Sequence, residues 1–223
     1  MKFSANLTML FNEYNFIDRF EKARINNFNA VEYLFPYEYN PKELKKILDD
    51  NKLTQVLHNL PAGDWEKGER GIACNPERID EFKEGVTTAI EYAKTLECTQ
   101  LNCLIGIPDK KFSISEINST VIENLKFASN QLKDANIKLL IEAVNTIDIP
   151  GFYLNTTNQS KNIIEQVNSD NLFLQYDIYH MQIMEGNISL TIKENLNLIR
   201  HIQIADHPGR NEPGTGEINY DFL

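Results

Sequence analysis

Short apolar runs alternate with longer stretches of helical period from one end of the chain to the other, the pattern of repeated strand-helix units. Seven strands are expected, over residues 2–7, 30–35, 53–58, 100–105, 137–143, 172–177 and 201–205. Helix starts are readable between them. Asn40-Pro41-Lys42-Glu43 offers an Asn cap, a proline at the first helical position and a Glu at the third, and Ser113-Ile114-Ser115-Glu116 is a capping box. After Pro76, the positions Ile79, Phe82, Val86, Ala89, Ile90, Ala93 and Leu96 recur at steps of three and four, which is one buried stripe of an amphipathic helix.

Parallel strands linked by helices make either an open doubly wound sheet or a closed barrel. In Ile137-Lys138-Leu139-Leu140-Ile141-Glu142 and His201-Ile202-Gln203-Ile204-Ala205 one parity is aliphatic and the other carries polar groups. A barrel strand packs its aliphatic face on the outer helices and turns the other to the lumen, with polar residues gathered at the carboxyl end. No Gly-x-Gly-x-x-Gly follows the first strand and no Gly-Lys-Ser/Thr loop occurs, which weakens the nucleotide-binding open sheets. The expected fold is therefore a single α/β domain over residues 1–223, a TIM (β/α)8-type barrel with seven strand-helix units. A barrel of this kind usually takes about 250 residues, so the eighth strand is expected to be missing from this chain. Seven strands alone would leave an open barrel of low stability.

Composition sharpens the functional classes. Twenty-two Lys and Arg stand against 32 Asp and Glu, a net charge of −10, so a phosphate backbone is repelled and no nucleic-acid partner is expected. Cys74, Cys98 and Cys103 cannot all pair and show no zinc spacing; they read as packed thiols of a reducing compartment. No apolar stretch approaches the roughly 18 residues of a membrane span, and the amino terminus has no cleavage-type segment. The expected location is the cytoplasm, with no membrane partner; a homo-oligomer is left open.

Strand ends of a barrel converge on one mouth, and three of them are polar here: Glu142, Asp177 and Gln203. Two carboxylates and an amide oxygen are hard ligands suited to Mg2+ or Mn2+. Each is also readable as a mere polar strand end bonded to loop amides. His180, three residues beyond Asp177, could bind substrate or shuttle a proton. Arg210, in Asp206-His207-Pro208-Gly209-Arg210, could clamp a carboxylate bidentately. His58 opens a turn-rich segment holding Trp65 and either covers a pocket or packs in a loop. His201 reads as a deeper structural residue.

Five runs then carry a resemblance: Phe3-Ser4-Ala5-Asn6-Leu7, Val31-Glu32-Tyr33-Leu34-Phe35-Pro36-Tyr37, His58 to Trp65 with Gly68 to Cys74, Gln175-Tyr176-Asp177-Ile178-Tyr179-His180-Met181-Gln182, and Gly214-Thr215-Gly216-Glu217-Ile218-Asn219-Tyr220. Together they resemble the hydroxypyruvate isomerase family, within the xylose-isomerase-like barrels. The resemblance implies a divalent metal, Mg2+ or Mn2+, held by Glu142, Asp177, Gln203 and a second glutamate, the two glutamates also passing the proton. It implies a small 2-oxo or hydroxy acid substrate, with His180, Arg210 and His58 at its binding site. The family's second glutamate lies on the eighth strand, so no residue here takes that role. The implied reaction interconverts hydroxypyruvate and tartronate semialdehyde through an enediolate. Rivals are a 2-oxotetronate-type isomerase, a sugar epimerase, which normally has His where Gln203 stands, a zinc endonuclease, and a catalytically silent binding protein.

Overall fold

The computed structural model describes residues 2–223. Its strands are β1 (Ala5–Asn6), β2 (Ala30–Glu32), β3 (Thr54–Asn59), β4 (Gln100–Cys103), β5 (Lys138–Glu142), β6 (Leu172–Asp177) and β7 (Ile199–Gln203). Between them run α1 (Asp18–Ile25), α2 (Pro41–Asp50), α3 (Ile79–Leu96), α4 (Ile114–Asp134), α5 (Thr157–Val167), α6 (Ile178–Met184) and α7 (Ile188–Asn195). All neighbouring strands pair in parallel and in chain order, β1 to β7. The result is a curled half-barrel with helices on its outside. Among the described residues β7 does not pair with β1, yet the curl brings the two ends together: Gln203 Nε2 on β7 donates to Glu32 Oε1 on β2 at 2.6 Å.

Local signals explain most element boundaries. The Asn40 side chain accepts from the Lys42 amide at the start of α2, and Ser113 and Glu116 form a reciprocal capping box at the start of α4. Helix α3 buries Phe82, Val86, Ala89, Ala93 and Leu96, five of the seven positions of its apolar stripe. All of these but Leu96 share one apolar cluster with Leu101, Leu139, Ile141 and Leu174, the outward parity of the strands, and Leu96 joins another. A second apolar cluster joins Leu7, Phe20, Val31, Tyr33, Leu44 and Leu48 beneath α1 and α2. Fully burying such a Leu or Phe stabilises the fold by about 1.5–3 kcal/mol relative to exposure. All three cysteines are buried and unpaired, and burial pushes the thiols of Cys74 and Cys98 up to about 12, which fits packed residues and not nucleophiles.

Two details depart from the sequence reading. The last strand begins two residues earlier than expected and ends at Gln203, and its aliphatic parity does not pack on an outer helix: Ile202 and Ile204 are 39% and 42% exposed. Among the described residues no helix follows β7, so nothing covers that face. The second departure lies between β2 and β3, where the register shifts: Val31 faces Gln55 but Glu32 faces Leu57. A one-residue slip exchanges the two faces of a strand for everything downstream.

The mouth is braced by a close backbone approach. Gly71, at φ +128, stands against the segment after β4, where an added Cβ would strike the Leu104 carbonyl oxygen and come within 2.7 Å of the Gly106 nitrogen. Both the dihedral and the space demand glycine. Gly71→Ala is expected to cost about 3 kcal/mol of stability, read as a lower urea midpoint at unchanged slope; an unmoved midpoint would show that the loop yields freely.

Candidate active site

Glu142 ends β5 and Asp177 ends the adjacent β6, so both carboxylates stand at the same end of the half-barrel; they are 6% and 3% exposed. Asp177 also caps α6, its Oδ1 accepting from the His180 amide at 3.2 Å, which folds His180 back toward the same point. One ligand atom from each of Glu142, Asp177 and His180 lies within 4.8 Å of the other two. Arg210, in the loop after β7 with φ +56, reaches in from the side: its Nη2 is 3.2 Å from Asp177 Oδ2 and 3.3 Å from His180 Nε2. Its guanidinium lies over the Tyr179 ring, 5.0 Å from the centroid.

Electrostatics mark Glu142 as the unusual group. Burial, and then the Asp177 carboxylate beside it, push its carboxyl from an ordinary 4.5 up to about 8, while Arg210, Gln175 and Asn102 pull the other way. Asn102 Nδ2 donates to Glu142 Oε2 at 3.0 Å and to Asn59 Oδ1 at 3.1 Å. Burial, the largest effect on His180, lowers its pKa and keeps the imidazole neutral near pH 7, although Asp177 acts in the opposite sense.

Four of the residues singled out in the sequence therefore converge: Glu142, Asp177, His180 and Arg210. Gln203 is the register partner of Asp177 on β7, but its amide bridges two neighbours, donating to Glu32 and accepting from Gln175 Nε2 at 3.0 Å. One lone pair of its oxygen is left for a further partner. His58 does not join the group. The register shift sends its ring to the helix side, where it is fully buried, lies edge-on to Tyr37 and sits 2.9 Å from Gln55 Nε2. Burial pushes its pKa down to about 3. His201 is in the lumen, its Nε2 2.7 Å from Glu32 Oε2.

The sequence reading missed Glu32, Asn102, Asn145 and Asp148. Glu32 collects Ser4, Asn6, His201 and Gln203; burial, the largest effect, raises its pKa, but the interactions with His201, Gln203 and Ser4 outweigh it and leave the pKa low. Asn145 follows Glu142 by three residues, as His180 follows Asp177, and the two meet: Asn145 Nδ2 is 2.7 Å from His180 Nδ1. That repeated spacing is the signal that could have found it.

The donor set fits a divalent cation. Two buried carboxylates so close together repel one another, which a doubly positive ion relieves, and carboxylate and amide oxygens are the ligands such hard ions prefer.

Comparison with known proteins agrees with this fold. Residues 20–223 match the family model described as xylose isomerase-like TIM barrel. The chain is 54% identical to hydroxypyruvate isomerase of Escherichia coli strain K12, over all of this chain and 86% of that protein. It is 41% identical to 2-oxo-tetronate isomerase of Cupriavidus necator, over all of this chain and 85% of that one. A crystal structure of AP endonuclease, family 2, from Brucella melitensis superposes with a TM-score of 0.96 at 38% identity, over 99% of this chain and 85% of that one. The fold, the family match and relatives of this identity agree: the chain belongs to the xylose isomerase-like TIM barrel family.

Proposed function

We propose that this isomerase interconverts hydroxypyruvate and tartronate semialdehyde, moving a carbonyl between adjacent carbons of a small 2-oxo acid. The observation that carries the reading is the buried pair Glu142 and Asp177, with a cationic Arg210 and a neutral His180 at the same strand ends. The difficult event is removal of a proton from carbon next to a carbonyl. Mg2+ or Mn2+, bound by Glu142, Asp177 and the free lone pair of Gln203, would act as a Lewis acid toward the negative charge that develops on neighbouring substrate oxygens. Glu142 takes and returns the proton: its carboxylate would be held ionised by the cation it helps to bind, which leaves it free to act as the base at the buried mouth. Arg210 receives the substrate carboxylate, and His180 meets a substrate oxygen. Burial keeps bulk water from this proton.

A 2-oxotetronate substrate is the second reading, favoured by the 41% identity to the Cupriavidus enzyme. A nuclease fits less well in spite of the Brucella protein's name, because net charge −10 repels DNA and the described cluster holds one histidine. No helix is long and apolar enough to cross a membrane; we place the enzyme in the cytoplasm with a small-molecule partner.

Turnover of the two substrates by the same preparation decides between them: a higher kcat/KM is expected with hydroxypyruvate, and the reverse order moves the assignment to the longer acid. In the same assay Arg210→Ala should raise KM by about 10- to 100-fold, the loss of a charge-assisted pair worth about 1.5–3 kcal/mol. An unchanged KM would take Arg210 out of substrate binding.

A further inference from the structure

The Asn145 amide is oriented without ambiguity. Its Oδ1 accepts from the backbone amides of Ile147 and Asp148, at 3.0 and 2.7 Å, and backbone amides only donate. The opposite end of the amide is thereby its NH2. One of those protons goes to Asp148 Oδ2 at 3.0 Å, a carboxylate that also accepts from Tyr179 Oη at 2.9 Å. The other points at His180 Nδ1, 2.7 Å away. Asn145 is fully buried and His180 nearly so, so water does not compete for either nitrogen.

A ring nitrogen that receives an N–H must offer a lone pair, and a neutral imidazole carries its single proton on the other nitrogen. That other nitrogen, Nε2, faces Asp177 Oδ2 at 3.6 Å and lies beside Arg210 Nη2. Two N–H donors approach the ring, and a neutral imidazole can accept only one. The Asn145 amide, 2.7 Å from Nδ1, is the nearer, while Arg210 Nη2, 3.3 Å from Nε2, already donates to Asp177 Oδ2 at 3.2 Å. With Nδ1 as acceptor, Arg210 and Nε2–H are two donors beside the same carboxylate oxygen. By proximity alone His180 could be counted with Glu142 and Asp177 as a metal ligand. A protonated Nε2 cannot ligate.

We infer that Asn145 is a positioning residue that locks His180 in the tautomer with its proton on Nε2, making His180 a hydrogen-bond donor to substrate oxygen and not a ligand of the metal. The tautomer is a property of the resting protein; only its use toward substrate rests on the isomerase reading. The chain then presents two donors of different kind, a charged guanidinium and a neutral imidazole N–H. The neutral donor can stabilise a developing oxyanion without giving up its proton to it.

Nitrogen NMR of the histidine-labelled protein tests this, at a pH where His180 is neutral, with the resonance identified by its loss in His180→Gln. The expected spectrum has a protonated Nε2 and a lone-pair Nδ1, unchanged when Mg2+ is added. A proton on Nδ1, or its departure from Nε2 on Mg2+ addition, would overturn the inference. Asn145→Asp turns the donor into an acceptor and should move the proton to Nδ1, with kcat lower by about 10- to 100-fold and KM changed less. Asn145→Ala, which adds no charge, should leave a mixture of tautomers and an intermediate kcat. An unaltered tautomer in both variants would remove Asn145 from the role, whatever became of turnover. Failure of the substrate assignment would show separately, as a wild-type protein with the expected spectrum and no hydroxypyruvate turnover.

Discussion

Glu142→Gln is expected to lower kcat by about 100- to 10,000-fold, the range of a lost general acid-base group, while the metal-free protein becomes more stable at neutral and alkaline pH. The stability effect is electrostatic. Burial and Asp177 hold the Glu142 carboxyl up near 8, against an ordinary 4.5 in the unfolded chain. Between those values the folded chain binds one more proton at this site than the unfolded chain does. Stability from this site is therefore full below about pH 4.5 and is lost as pH rises toward 8. Glutamine retains an oxygen to accept from Asn102 and never ionises, so it keeps the bond and removes the loss. The measurement is the difference in thermal midpoint between wild type and variant, without metal, across that window. A difference that does not grow with pH would mean that Glu142 is not held protonated, and undiminished kcat would exclude it from proton transfer.

How much of this was legible in the sequence varies by residue, for physical reasons. Glu142 and Asp177 each end an aliphatic run, and a parallel barrel forces such ends to one mouth, so strand period alone located them. Arg210 could be flagged from its Pro-Gly turn but not aimed, because its direction depends on a left-handed backbone at φ +56. His58 illustrates the opposite case. Strict alternation from Gln55, which lies on the helix side with Tyr33, would have turned His58 into the lumen; the register shift opposite Glu32 reverses this and gives the lumen position to Asn59. Nothing in the residues around 55–59 announces a bulge, which arises where two strands with different neighbours are brought into register. Glu32 was invisible as a hub because its partners His201 and Gln203 lie 169 and 171 residues away and meet it only once the sheet curls.

Metal depletion is expected to have the other large effect: removal of divalent ions with EDTA should reduce turnover more than about 100-fold, and Mg2+ or Mn2+ should restore it. Binding is expected to depend on pH in a direction fixed by the same carboxyl. A cation requires Glu142 in its ionised form, so each ion bound displaces a proton, and affinity should rise by about tenfold per pH unit until Glu142 is ionised without help, near 8. Thermal midpoints report this without any assay of turnover, since free ion at 100 times its Kd stabilises the fold by about 2.7 kcal/mol. Asp177→Asn should abolish the shift by removing the second carboxylate of the pair. Glu142→Gln should weaken binding and flatten its pH dependence, which separates loss of a ligand from loss of a proton carrier. His180→Gln should leave the metal-induced shift in place, because a nitrogen that keeps its proton contributes nothing to the ion. Full turnover after thorough depletion would end the metal mechanism and leave Arg210 and His180 as the groups facing the developing charge.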